Sequence, residues 1–247
     1  MRHARSLKTM AYQLSEELGF KVTRYMLRRF LKRLGYSWKR FRKSLKRKRN
    51  QQEYEEKLGE LKQLIELHKA DYIDLRFADE SGFNLEGYVP YGWQPKGEYI
   101  EITPAKTKGT QIFGLMNLDN QLQAYGFQGS MDSEAIIACL DDFHTTIKKP
   151  TVVVVDNAPI HHSKKFEAKM KHWKQDDLYV FFLPTYSPHL NLIEILWRKL
   201  KYEWLPYETI ESQQALNEKL ENILRNFGEN YVINFEQDNQ KMSIIFA

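Results

Sequence analysis

Cysteine is nearly absent from this 247-residue chain. Cys139 is the single one, which excludes an internal disulfide framework and any zinc site built on a cysteine cluster. No apolar run approaches the ~18 residues a membrane span needs, and the N-terminal MRHARSLKTMAY lacks the apolar stretch of a secretory signal. Neither GxSxG nor HExxH occurs. GWQPKGE has a superficial likeness to a phosphate loop, but Glu98 follows Gly97 where lysine would be required, so ATP use is not indicated. These absences predict a reduced, cytoplasmic chain with no membrane partner. Hydrophobic residues make up 42% and charged residues 28%, the balance of a folded protein rather than a disordered one. The length suits one sizeable core plus a small module, or two modest domains.

Acidic residues are scarce at one end only. Residues 1–50 hold 17 Lys+Arg against Glu16 and Glu17, a net of +15, while the rest of the chain holds 20 against 30, a net of −10. So basic a head attracts a polyanion, and nucleic acid is the commonest one. A solvated arm with no specific partner is the plainer alternative.

Within the head, Leu14, Leu18, Val22, Met26, Leu27, Phe30, Leu31 and Leu34 recur at helical spacing. Gly19 can end a first short helix and Thr23 can cap a second, running to about Leu34. That second helix sets Arg24, Arg28, Arg29, Lys32 and Arg33 around the stripe, as the groove-reading helix of a helix-turn-helix would. After Gly35, the alternation of Tyr36, Trp38 and Phe41 with Lys39, Arg40, Arg42 and Lys43 predicts a strand or wing laid on phosphates. Packing of those aromatics onto their own domain is the competing reading.

Residues 51–70, with Leu58, Leu61 and Ile65 at helical spacing, predict a linker helix. Strands follow: IDLRFAD (73–79), a Gly/Pro-punctuated hairpin, YIEIT, TQIFGLMNL and QLQAYGFQG. A helix from Ser133 to Ile147 holds Cys139 as a small packed residue. TVVVVD (151–156) reads as a strand buried on both faces. A helix from Ser163 to Trp173, the strand LYVFFLP, a helix over NLIEILWRKLKYEWL and a helical tail complete the chain. This order predicts an α/β protein, a mixed sheet with helices on its faces.

Three acids stand out. Asp79 ends the first strand, Asp156 ends the valine strand, and Glu194 lies in the helix after the last strand. Open sheets bind ligands at the carboxyl ends of parallel strands. Carboxylates gathered there repel unless a hard cation neutralises them, and Mg²⁺ is the usual choice. Each acid alone could equally be a turn or cap residue.

FADESGFNLEGYVPYGWQPKGE, VVVVDNAPIHHS and LPTYSPHLNLIEILWRKLK, in this order, resemble the three catalytic blocks of the IS630/Tc1/mariner transposases. The resemblance implies a DDE-type enzyme with a ribonuclease H-like core, preceded by a small winged helix-turn-helix module. It places Asp79 as the first acid and metal ligand, Asp156 as the second and Glu194 as the third, with 37 residues between the last two. In that fold the first and fourth strands are neighbours, so Asp79 and Asp156 meet. It further implies two Mg²⁺ ions (Mn²⁺ as substitute), double-stranded DNA as partner (terminal inverted repeats and target) and a homodimer at the nucleoid.

The implied domains are a partial DNA-binding module (1–50), a linker helix (51–70), the catalytic core (71–205) and a C-terminal helical tail (206–247). Leu192 and His189 depart from the family's wording without replacing a ligand. Glu80 adjoins Asp79, but consecutive strand residues face opposite ways, so one of the two can point at the metals. Asn157, His161 and His162 match the second block, either touching phosphate or water or merely opening a helix. Trp93 and Lys96 resemble a motif near DNA, with a core role for Trp93 as the alternative. Tyr186 and Ser187 are expected to shape the turn before the catalytic helix, and Trp197 to sit in its core. The family usually carries a further helix-turn-helix unit upstream. A short version, one part of a split frame or a decayed copy are the readings this raises. By function, the chain is a transposase, a silent or domesticated DNA-binding derivative, or a nuclease that hydrolyses without strand transfer.

Overall fold

The computed structural model describes residues 7–37, 48–85, 109–206 and 212–235. Residues 38–47 of the expected wing, most of the hairpin and the YIEIT segment lie outside them. So do the candidate DNA-contacting residues Trp38, Lys39, Arg40, Arg42, Lys43, Trp93 and Lys96. The chain divides into two units, Met1–Ser44 and Leu45–Ala247.

In the first unit, α1 (Leu7–Leu18) and α2 (Arg24–Arg33) are joined by a short turn. Gly19 stops α1 at φ +70°, a left-handed conformation that a side chain disfavours. The Ser15 hydroxyl donates to the Ala11 carbonyl and accepts from the Val22 amide, each at 2.8 Å, which ties the helix to the turn. Thr23 caps α2, its hydroxyl accepting from the Met26 amide at 3.2 Å. Ala11 and Leu27 are buried, whereas Leu18, Met26, Phe30 and Leu34 of the apolar stripe stay exposed.

The second unit opens with α3 (Gln51–Lys69), capped by Asn50. It buries Tyr54, Leu61 and Ile65 in the core cluster below the sheet, so the expected linker helix is packed along its length. Next come β1 (Asp74–Phe83), β2 (Thr110–Met116), β3 (Leu122–Gln128), α4 (Ser133–His144), β4 (Thr151–Val155), α5 (Lys164–Trp173), β5 (Leu178–Phe182), α6 (Ile193–Lys199) and α7 (Gln213–Arg225). Among the described residues the sheet runs β3-β2-β1-β4-β5. β1, β2 and β3 pair antiparallel, and β1, β4 and β5 pair parallel.

Alternation along β1 divides the core in two. Leu75, Phe77 and Phe83 face α3, α6 and α7, and Ala78 faces α4 and α5 with Phe113, Val153 and Val155. β4 is buried at every position, TVVVV, as a central parallel strand covered on both sides must be.

β1 runs four residues beyond the expected IDLRFAD strand. The extension comes from β2, which supplies antiparallel partners from Phe77↔Met116 to Phe83↔Thr110. Asp79 is therefore inside a strand rather than at its end. The parallel ladder to β4, however, stops at Phe77↔Val154, so Asp79 and Glu80 still lie just past the carboxyl end of the parallel pair. The helix expected over residues 191–205 changes winding at Leu200, where a π-helical turn (Leu200–Trp204) replaces α6. Among the described residues no helix is long and apolar enough to cross a membrane.

Candidate active site at the carboxyl edge of the sheet

β1 and β4 lie side by side, so Asp79 and Asp156 reach the same edge of the sheet from neighbouring strands. Glu194, in the first turn of α6, comes to it from the face that Phe77 and Phe83 also line. Three contacts hold α6 there. The Trp197 indole N–H donates to Asp79 Oδ2 at 3.1 Å. The Asn191 amide, just before the helix, donates to the Ala78 carbonyl at 2.9 Å. Gly114, opposite Asp79 on β2, lacks the Cβ that would stand 2.9 Å from the Trp197 ring and 3.0 Å from Ile193 Cδ1.

The electrostatics follow from gathering acids in a partly dry place. Burial first, then the charges of Glu194 and Glu80 and, more weakly, Asp156, push the Asp79 carboxyl up to about 8. Glu194 is exposed, yet its carboxyl is also raised, by lost hydration and by Asp156, against the pull of Lys201. Asp156 goes the other way. The His161 hydrogen bond holds it below the usual carboxylate range, helped by the Ala158 amide, which donates to Oδ1 at 3.0 Å. Among the described residues, no three His, Cys, Asp or Glu side chains stand close enough to grip one ion together. Asp79 and Asp156 are engaged with Trp197 and His161 instead.

Glu80, next along β1, faces the opposite side of the sheet from Asp79, as strand alternation requires, and lies 3.9 Å from His161 Nε2. His161 is buried in a 3₁₀ turn (Pro159–His162) before α5. Exposed His162 pairs with Asn157 and stacks on Phe182 at 4.8 Å between ring centroids. In the head, Tyr25, Arg28, Arg29, Lys32 and Arg33 line one concavity on α2, and Arg24 is exposed on the same helix.

Sequence reasoning missed four contributors. Lys201, in the π-helical turn, has its ammonium pushed down by burial and held up by Glu194 and Asp79. Its spacing of seven residues from Glu194 is two helical turns, a legible signal. Gly114 was legible too, because glycine inside a strand marks a close approach. Trp197 was expected as core; it is buried, and its N–H also touches the site. The clamp made by Asn191 had no signal in the sequence.

A five-stranded mixed sheet of this order, flanked by helices, defines a fold of the ribonuclease H type. Residues 74–217 match the family model described as DDE superfamily endonuclease, and the chain belongs to that family. It is 23% identical over 198 residues to the insertion element IS630 uncharacterized 39 kDa protein of Shigella sonnei, covering 79% of this chain and 56% of that one. The chain thus spans little more than half the length of the curated relative it matches. In fold it is similar to the Mos1 strand transfer complex (TM-score 0.57, 12% identity, 100% of this chain and 80% of that one). It is likewise similar to the Mos1 mariner paired end complex with Mn (TM-score 0.58, 14% identity, 98% of this chain and 72% of that one). The resemblance carried by the three sequence blocks, and the ribonuclease H-like core it implied, are borne out.

Proposed function

We propose that the chain is an insertion-sequence transposase that binds element-end DNA through its basic head and cuts and joins phosphodiester bonds at the carboxyl edge of its sheet. The observation that supports this reading is that neighbouring β1 and β4 carry Asp79 and Asp156 to one edge of the sheet, where Trp197 of α6, three residues after Glu194, donates to Asp79. Burial and mutual repulsion make such a group costly by itself, and a divalent cation is the chemistry that relieves it. The donor set, all carboxylate oxygen, suits Mg²⁺ or Mn²⁺.

Asp79, Asp156 and Glu194 would hold the ions. Divalent ions held there would acidify water and offset the negative charge that develops on phosphate oxygens. Asp79 enters this role by sharing or leaving the Trp197 N–H, and the bond fixes where its carboxylate starts. Lys201, in the field of Asp79 and Glu194, is placed to meet a phosphate oxygen. Asp156 stays ionised beside His161, which keeps one full negative charge in the set. The domain division 1–50, 51–70, 71–205 and 206–247, a homodimer holding two DNA ends, and action on the nucleoid in the cytoplasm belong to the same proposal.

The test is Asp156→Asn, which keeps shape and removes one charge from the ion site. DNA binding should persist, and Mg²⁺- or Mn²⁺-dependent cleavage of an element-end duplex should fall by orders of magnitude in a side-by-side gel assay. Undiminished cleavage would refute the assignment. A wild type that binds and never cuts would support the silent, DNA-binding derivative instead.

Affinity for DNA should depend steeply on salt, since each phosphate neutralised contributes a slope near −0.9 in log K against log salt. Arg28→Gln, Arg29→Gln and Lys32→Gln together, in the full chain, should flatten that slope by roughly two to three. An unchanged slope would remove α2 from the DNA contact.

A further inference from the structure

His161 is 2% exposed, in a chain where the neighbouring His162 is open to solvent. Its ring packs edge-on against Phe166, centroids 5.5 Å apart, and Phe166 is itself wholly buried at the start of α5. The imidazole therefore cannot swing. Its Nε2 lies 3.4 Å from Asp156 Oδ1 and 3.9 Å from Glu80 Oε1. One ring nitrogen thus stands between a carboxylate of the proposed ion site and a carboxylate that faces away from it.

Two polar atoms here break the usual rule that buried polar groups find partners. Glu80 Oε1 and His161 Nδ1 are both buried without a hydrogen bond. Each such atom costs on the order of 1–3 kcal/mol, and a native structure that keeps one on each member of a contacting pair invites a functional reason. A leucine or phenylalanine at 161 would fill the same space without that penalty.

We propose that Glu80 and His161 act as a positioning pair that aims Asp156 at the divalent cation. The inference rests on the metal-ion reading of Asp79, Asp156 and Glu194. The two Asp156 contacts, from the His161 ring and the Ala158 amide, both fall on Oδ1. Oδ2 is thereby left for an ion, and the side chain cannot turn its other edge to the site. Glu80, on β1, lies 3.9 Å from the same Nε2, so its charge adds to the pull on that edge of the imidazole. An outer partner of this kind orients a carboxylate ligand from one bond away from the ion. The pairing also gives Glu80 a use on the face of the sheet where it cannot ligate the ion together with Asp79.

The experiment measures Mn²⁺ binding by calorimetry to the full-length chain, with thermal unfolding in the absence of ion as the control for folding. His161→Leu should bind Mn²⁺ about 10–100-fold more weakly, the usual loss for an outer partner of a ligand. His161→Gln places an amide N–H where Nε2 was and should recover most of that loss. Glu80→Gln should weaken binding in the same direction by a smaller factor. DNA cleavage should show a matching rise in the Mn²⁺ concentration needed for half-maximal rate, with the rate at saturating Mn²⁺ much less changed.

Wild-type affinity in a folded His161→Leu, with Asp156→Asn clearly weakened, would overturn the pair and leave the ion site standing. If His161→Leu does not fold, Glu80→Gln decides, and unaltered affinity there overturns the proposal. Unaltered affinity in Asp156→Asn would remove the ion site itself, and the pair with it.

Discussion

Asp79→Asn is expected to melt at a higher temperature than the wild type at pH 8 in the absence of divalent ions, while DNA cleavage falls by orders of magnitude. Asp79 is pushed up to about 8 in the folded chain, first by burial and then by Glu194 and Glu80. Its unfolded value is near the ordinary 3.9. Between those values the folded chain binds the extra proton, so stability falls as pH rises through the window from about 4 to about 8. Each unit of such a shift corresponds to about 1.4 kcal/mol. Asparagine escapes the cost and still offers the Trp197 N–H an acceptor. A net gain of ~1–4 kcal/mol at pH 8 corresponds to roughly 2–15 °C in a chain of this size.

The difference between variant and wild type should shrink to within about 0.5 kcal/mol at pH 4, where Asp79 is protonated in the folded chain and about half protonated in the unfolded one. Mg²⁺ added to the wild type at pH 8 should close part of the gap. Melting curves at pH 4, 6 and 8, with and without Mg²⁺, check all three expectations. A wild type whose stability relative to the variant is flat over this range would show that Asp79 carries no such burden.

Gly114→Val should cost both stability and catalysis, from a position that carries no functional side chain. A Cβ at 114 meets Trp197 at 2.9 Å and Ile193 at 3.0 Å, so a valine must push α6 off the sheet. Overpacking of this kind costs ~1–3 kcal/mol. Glu194 lies between Ile193 and Trp197 and rides with them. A displacement of about 1 Å in such a group can cost on the order of 10²-fold in rate. Gly126→Val is the control, because a Cβ at Gly126 on β3 meets nothing within 4 Å. Thermal melts and cleavage rates for the two variants decide the matter, and equal behaviour would disprove the close approach of α6 at Gly114.

Local chemistry made much of the molecule legible. TVVVV could only be a strand covered on both faces, and it is β4, buried at every position. Thr23 and Ser163 announce helix starts because their hydroxyls can take a free amide, and both do so. Gly19 announces a helix end because it can turn left-handed. The acids at 79, 156 and 194 were visible through the wording of their three blocks, which local sequence carries in full.

Other features depend on contacts between residues far apart in the chain, which no window of sequence contains. IDLRFAD looked like a strand ending at Asp79, and it was the pairing with β2 that carried β1 on to Phe83. His161 and His162 are adjacent and chemically identical. One is buried against Phe166 and bonded to Asp156, and the other is exposed against Phe182. Only the path of the 3₁₀ turn over the sheet edge separates them. Likewise Trp197 was readable as an apolar helix residue, while its bond to Asp79 spans 118 positions. What the sequence determined by itself was the set of chemical groups and the periodicity of each segment, because these are set by neighbours along the chain. Which carboxylates meet at one edge of the sheet, and which way their affinities for protons move, was decided only by the tertiary structure, because charge and burial act through space.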